Sequence, residues 1–182
     1  MDRYAMLTAF GQDRPGIVAA VAEGLYRLHC NIEDTCMTRL RGEFSMMVLV
    51  RLPPDLSPDL LAEQMVPYTE PLRLSVLCRE VPAQAMTSES SSDAPAYMLS
   101  VYGADRPGIV AKVARVLMDH EANITDMNTR VIGTAERPIY VMLLEVQLRP
   151  DQGSQALETA LEALKPVLSV DLTFRAIESL RL

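Results

Sequence analysis

One short phrase occurs twice in this chain of 182 residues. Gly11 to Leu25 reads GQDRPGIVAAVAEGL, and Gly103 to Leu117 reads GADRPGIVAKVARVL. Carried on to Asp34 and Asp126, the comparison leaves 14 of 24 positions identical, far above chance for such a window. After a one-residue slip the likeness resumes, with MTRLRG (Met37 to Gly42) against NTRVIG (Asn128 to Gly133). FSMMVLV (Phe44 to Val50) then answers YVMLLEV (Tyr140 to Val146). Between those blocks the second copy carries about five further residues around TAERP, read as a longer hairpin loop. A segment rich in Ser and acidic residues, TSESSSDAP from Thr87 to Pro95, has a tether's composition. The repeat therefore implies two homologous small domains, residues 1–82 and 96–182, joined by a linker over 83–95.

Each copy has the same local grammar. RYAMLTAFG and AYMLSVYG are short runs of strand formers closed by Gly. Ile17, Val18, Val21, Ala22, Leu25 and Leu28 recur at the spacing of one helix face, and Ile109, Val110, Val113, Ala114 and Leu117 repeat it. Pro15 and Pro107 suit a first helical position, where a missing N–H costs nothing. NIEDTCMTRLRG followed by FSMMVLVRL reads as a hairpin, SPDLLAEQMV and GSQALETALEALK as second helices, and LRLSVLCREV and SVDLTFRAIE as closing strands. The order β-α-β-β-α-β, twice over, predicts an α+β chain of two ferredoxin-like domains. Each is an antiparallel four-stranded sheet with two helices on one face.

Charge narrows the partners. Seventeen basic against 24 acidic residues leave a net charge of −7, with no Lys/Arg cluster, which argues against direct binding of nucleic acid. No run approaches the roughly 18 apolar residues of a membrane span. MDRYAMLTAF is charged too early to be read as a signal peptide. The expectation is a soluble, cytoplasmic protein. Cys30, Cys36 and Cys78 lack a CxxC pairing and read as buried or partly buried reduced thiols. Met37, Met46, Met47 and Met142 read as core filler.

Enzyme chemistry finds no foothold. His29 and His120 each fall near a helix end, where a side chain ordinarily meets free carbonyls. No Ser–His–Asp order, HExxH or GxxxxGK[ST] occurs, and GQDRPG lacks the second glycine of a dinucleotide fingerprint. Glu158, Glu162 and Lys165 read as a solvated helix face. We expect no catalytic residues, no metal and no cofactor.

DRPGIV at a first helix turn and Asn-Ile at the second strand, set in βαββαβ units, resemble the ACT domain, an amino-acid-sensing regulatory module. Two copies with little else resemble transcriptional regulators of the glycine cleavage type, which implies glycine or serine as the sensed molecule.

The residues suggest how such a molecule is held. The amides at Gly16, Ile17 and Val18 have no carbonyl four residues back, and the helix dipole adds roughly half a positive charge there. A carboxylate fits that end without Lys or Arg, and Gly16 lets it approach. Asp13 beside the turn could take the ammonium group; alternatively Pro15 and Gly16 only make a tight turn that Asp13 caps. A helix of about 13 residues, roughly 20 Å long, keeps Asn31 away from Asp13 of its own domain. If two domains pair about a two-fold axis, Asn31 faces Asp105 and Asn123 faces Asp13; known ACT domains similarly bind amino acids between domains. The candidate ligand set is Asp13, Gly16, Ile17, Asn31 and Ile32, with Asp105, Gly108, Ile109, Asn123 and Ile124. For both asparagines a turn or helix-cap role is the alternative. The expected partners are the amino acid, a regulatory protein and a second copy of the chain, since an unpaired sheet edge invites self-association. The competing reading is an interaction module with no amino-acid ligand.

Overall fold

The computed structural model describes residues 2–82, 94–134 and 136–177. The chain divides into two compact units, 1–90 and 91–182. In the first, β1 (Arg3–Gln12), α1 (Ile17–Arg27), β2 (Asn31–Leu40), β3 (Glu43–Leu52), α2 (Pro58–Thr69) and β4 (Ser75–Val81) follow in order, with a short 3₁₀ turn at Glu70–Leu72. The second repeats them as β5 (Ala96–Ala104), α3 (Ile109–Asp119), β6 (Asn123–Thr134), β7 (Arg137–Gln147), α4 (Gln155–Leu168) and β8 (Val170–Ala176). The antiparallel sheets run β2-β3-β1-β4 and β6-β7-β5-β8, the expected ferredoxin-like topology. Of the expected linker, only Ala94 and Pro95 fall among the described residues. The Pro95 carbonyl already accepts from the Leu148 amide at 3.0 Å, so the second sheet begins one residue before β5.

Period-two alternation puts Ala5, Leu7 and Ala9 of β1 and Phe44, Met46, Val48 and Val50 of β3 on the helix side, all buried. Ile17, Val21 and Leu25 of α1 and Leu61 and Met65 of α2 close over them. The second core repeats this with Leu99, Val101, Met142, Leu144 and Val146 beneath Ile109, Val113, Leu117, Leu157 and Leu161. Only part of the apolar reading enters these cores. Val18 and Val110 are exposed at the flank of their helix, and Met37 and Met47 are exposed while Met46 and Met142 are buried. Met47 points to the open face of its sheet; Met37 is on the helix side, but β2 is an edge strand exposed along its whole length.

Four local expectations are corrected. The first helices start at Ile17 and Ile109, not at the prolines, because Gly16 and Gly108 take left-handed conformations that interrupt the helix. Both second helices continue past an internal proline, Pro67 and Pro166, which a last turn tolerates because few hydrogen bonds remain to lose. The closing strands begin later than expected, after left-handed residues Arg73 and Ser169. The fourth correction concerns the repeat. Cys36 pairs with Met47 and Asn128 with Leu143, the same place in each sheet, so no slip exists in the strands. The extra residues lengthen the hairpin's ladders: Leu40 opposite Glu43 ends the first, whereas Gly133–Pro138 and Thr134–Arg137 extend the second beyond Ile132–Ile139. Arg39 therefore corresponds to Val131 rather than Arg130.

No described helix is long and apolar enough to cross a membrane.

Candidate functional site

Both copies present a bare helix start. Gly16 and Gly108 hold nearly one conformation, φ 97° and ψ −10° against φ 98° and ψ −7°. A side chain at such angles is strained, although no neighbouring atom lies within 4 Å of where its Cβ would sit. The first intrahelical bonds run from Ala20 to the Gly16 carbonyl (2.9 Å) and from Lys112 to the Gly108 carbonyl (3.0 Å). The amides of Ile17, Val18 and Ala19, and of Ile109, Val110 and Ala111, thus precede the helical ladder. Among the described residues no side chain caps either end. The side chains of Ile17 and Ile109 are only 2% exposed, so these residues can offer a ligand their amides alone.

Asp13 does not cap the turn. Its carboxylate accepts from Arg39 Nη1 at 3.2 Å, and its amide donates to the Gly42 carbonyl at 2.8 Å, fixing the loop against the β2–β3 hairpin. Arg14 donates to Gln12 Oε1 at 3.2 Å. Arg39 is exposed and Asp13 half-buried; a pair with one member in water contributes about 0–1 kcal/mol, so an incoming ammonium group could exchange for the guanidinium. Asp105 has no ion-pair partner among the described residues, because the hydrophobic Val131 takes the place of Arg39. Sequence reasoning missed Arg39 as a site residue because the slipped alignment matched it to an arginine in the second copy.

The asparagines lie at the other end of their domains. β2 runs from Asn31 to the stretch around Arg39, about 26 Å at 3.3 Å per residue, and Arg39 touches Asp13. Asn31 cannot reach Asp13 of its own domain. It donates to Glu33 Oε1 at 2.9 Å, and Glu33 pairs with Arg51 at 3.0 Å. Neither asparagine caps a helix. That work falls to left-handed His29 and Glu121, after which the Cys30 and Ala122 amides reach back to the Leu25 and Leu117 carbonyls, each at 2.9 Å. His120 meets its helix end as expected, Nδ1 lying 2.8 Å from the Val116 carbonyl.

Asn123 and Ile124 line an open groove of about 410 Å³ together with Ala114, Met118 and Glu121. Asn123 also borders a smaller depression of about 160 Å³ beside Gln147 and Arg149. Glu121 is held by Arg149 at 2.8 Å. The groove has an apolar floor, an amide and a carboxylate, a surface that suits a small amphipathic molecule. Ile32, its counterpart in the first copy, is exposed. Among the described residues no cluster of His, Cys, Asp and Glu could hold a metal ion.

The thiols separate into two kinds. Burial pushes Cys30 and Cys78 up from 9.0 to about 11, whereas Cys36 is exposed on β2, contrary to the expectation for all three. A thiol shifted by two units holds about 100-fold less thiolate at a given pH. Alkylation by iodoacetamide at pH 8, read by mass spectrometry, is expected to modify Cys36 first and to leave Cys30 and Cys78 largely intact. Because the folded-state values are raised, the contribution of these two thiols to stability is complete below pH 9 and is lost as pH climbs through about 11.

Two βαββαβ units, each with a glycine-started helix following its first strand, define a class that the family comparisons name. Residues 3–65 and residues 97–167 each match an ACT domain. The chain belongs to the ACT-domain family and carries two such domains in tandem. It is 29% identical over 128 residues to the glycine cleavage system transcriptional repressor of Escherichia coli (strain K12), a match covering 70% of this chain. That match spans 64% of the repressor's length, a little less than two thirds. A UPF0237 protein of Methanopyrus kandleri is 40% identical over 74 residues, covering 40% of this chain and 82% of that protein. A crystal structure of an unknown protein from Galdieria sulphuraria superimposes with a TM-score of 0.79 at 26% identity, over 97% of this chain and 99% of that one.

Proposed function

We propose that this chain is a non-catalytic regulatory protein that senses a free amino acid, glycine or serine, and acts on transcription through contact with a regulatory protein. The observation that carries the reading is the matched pair of bare helix starts at Gly16 and Gly108, each beside an aspartate. Free amides and a helix dipole attract a carboxylate, and an aspartate attracts an ammonium group. The two charges of an α-amino acid are thereby both answered. Asn31 or Asn123 of a facing domain completes the site, because neither can reach the aspartate of its own. The E. coli relative's name supports the link to transcription of the glycine cleavage system. The net charge of −7 favours a protein partner over direct contact with DNA. Binding prefers one arrangement of the domains, and the shift in population is the signal.

Isothermal titration of the full chain against the proteinogenic amino acids tests this. Heat with glycine or serine, lost when both Asp13 and Asp105 become alanine, is the expected result. No heat and no thermal shift with any amino acid would sink the proposal.

A second reading has one observation in its favour. Asp13 is already paired with Arg39, and Asn31 with Glu33, as in a module that only packs and touches a partner. In that case Asn31→Ala and Asn123→Ala change the unfolding midpoint while no ligand effect exists.

A further inference from the structure

The face of the second sheet turned away from α3 and α4 is uncovered, and its charges form a pattern. Register puts Asp126 on β6 and Arg175 on β8 in the same cross-strand row, both aligned with Met98 of β5. Four residues of β5 further on, Arg130 on β6 and Asp171 on β8 share the row of Tyr102. β6 and β8 are the two edges of the sheet. Three strand spacings and four residues along a strand each span about 14 Å. The four charges therefore stand at the corners of a square, with signs alternating around it. Opposite charges at that distance cannot pair within their own sheet, and Arg130, Arg175 and Asp171 form no ion pair among the described residues. Among the described residues Asp126 accepts from its neighbour Asn128, at 2.8 Å, and forms no ion pair.

The ground between these corners is mixed, with Glu145 and Met98 in the first row, Asn128, Leu143, Ser100 and Thr173 in the middle row and Val141 and Tyr102 in the third. Its apolar members Met98, Tyr102 and Leu143, with Ile132 and Ile139 in the row beyond, are 38% to 51% exposed. Four strands about 4.8 Å apart and roughly 30 Å long present about 600 Å². Two such faces together remove on the order of 1,100 Å² from water, above the roughly 1,000 Å² that a specific interface needs.

We infer that the second domains of two copies of this chain pack open sheet on open sheet about a two-fold axis. An alternating square of charge is self-complementary. A two-fold axis along the strands sets Asp126 over Arg175 of the second copy and Arg130 over its Asp171. An axis across the strands sets Asp126 over Arg130 of the second copy and Arg175 over its Asp171. Either way every corner meets its opposite, and each contact occurs twice. Glu145, one strand in from Asp126, lies beside the same cationic corner of the second copy. The first sheet does not supply such a partner. It has Asp34 and Arg79 in the row of Met6, but Thr38 and Ser75 at the other two corners. Only another second sheet returns an opposite charge to all four.

Light scattering on the full chain, at concentrations bracketing dissociation, tests the inference, with circular dichroism confirming that each variant folds. The parent is expected to be dimeric. Arg130→Asp sets like charges together at two symmetric places and is expected to raise the dissociation constant at least tenfold. One of two second changes should restore the dimer: Asp171→Arg added to Arg130→Asp for the axis along the strands, or Asp126→Arg added to it for the axis across them. A monomeric parent, a dimer indifferent to Arg130→Asp, or a loss that neither double variant repairs overturns the inference.

Discussion

Leu161→Ala is expected to lower the stability of the second unit by about 3–5 kcal/mol while leaving the first unit's unfolding where it was. Leu161 is 0% exposed and lies in a core built from residues 99–172. Removing three heavy atoms there forfeits transfer free energy and leaves a cavity that the neighbours only partly fill. Against the roughly 5–15 kcal/mol that holds a small domain together, that is a large share. For a unit of this size it lowers the midpoint on the order of 15 °C. The first unit's core shares no residue with it. Urea or thermal unfolding should therefore show a second transition moved far down and a first one unmoved. Leu61→Ala, also at 0% exposure, should do the reverse. A uniform shift of a single transition would mean that the two units fold as one.

The two aspartates beside the helix starts are expected to differ in their effect on amino-acid affinity. Asp105→Ala removes a carboxylate that has no ion-pair partner among the described residues, so its whole capacity for an ammonium group is lost. Charge-assisted hydrogen bonds contribute about 1.5–3 kcal/mol, which predicts roughly 10- to 100-fold weaker binding at that site. Asp13→Ala should cost less, because Arg39 already competes for that carboxylate at 3.2 Å. Arg39→Ala should tighten the Asp13 site by up to about fivefold, the worth of an exposed ion pair. Titration of the three variants with glycine and serine reads all of these. Equal losses from both aspartate variants would show that the Arg39 contact plays no part in binding.

Much of this architecture was legible in the chain. Helix stripes such as Ile17, Val21 and Leu25 were legible because a face that packs on a core must repeat with its own element's period. The repeated DRPG phrase marked where each first helix begins, but not the dihedral of its glycine. A backbone that must turn left-handed before a helix selects glycine wherever it occurs, so the repeat marks the turn twice. The helix starts fall two residues later than expected, since Pro15 and Pro107 suit a first helical position that left-handed Gly16 and Gly108 delay to Ile17 and Ile109.

Arg39 shows where such reading stops. Its neighbours in the chain match Arg130 of the second copy, and aligned letters alone favour that equivalence. Strand register places it instead level with Val131, because the second copy's extra residues lengthen the hairpin's strands rather than its loop. Among the described residues that difference leaves Asp13 paired and Asp105 without an ion-pair partner. The same cause hid the square of charges, whose corners lie on β6 and β8 more than 40 residues apart in sequence.

Dihedral preference and hydrophobic period act between near neighbours, so the amino-acid order alone determined the number of domains, the kind and succession of their elements, and the bare helix start after each first strand. Which side chains lie opposite one another across strands was decided only by the tertiary structure. A pairing register is set by the hairpin's length and by packing against the core, and shifting it by one residue would turn every side chain of a strand to the other face.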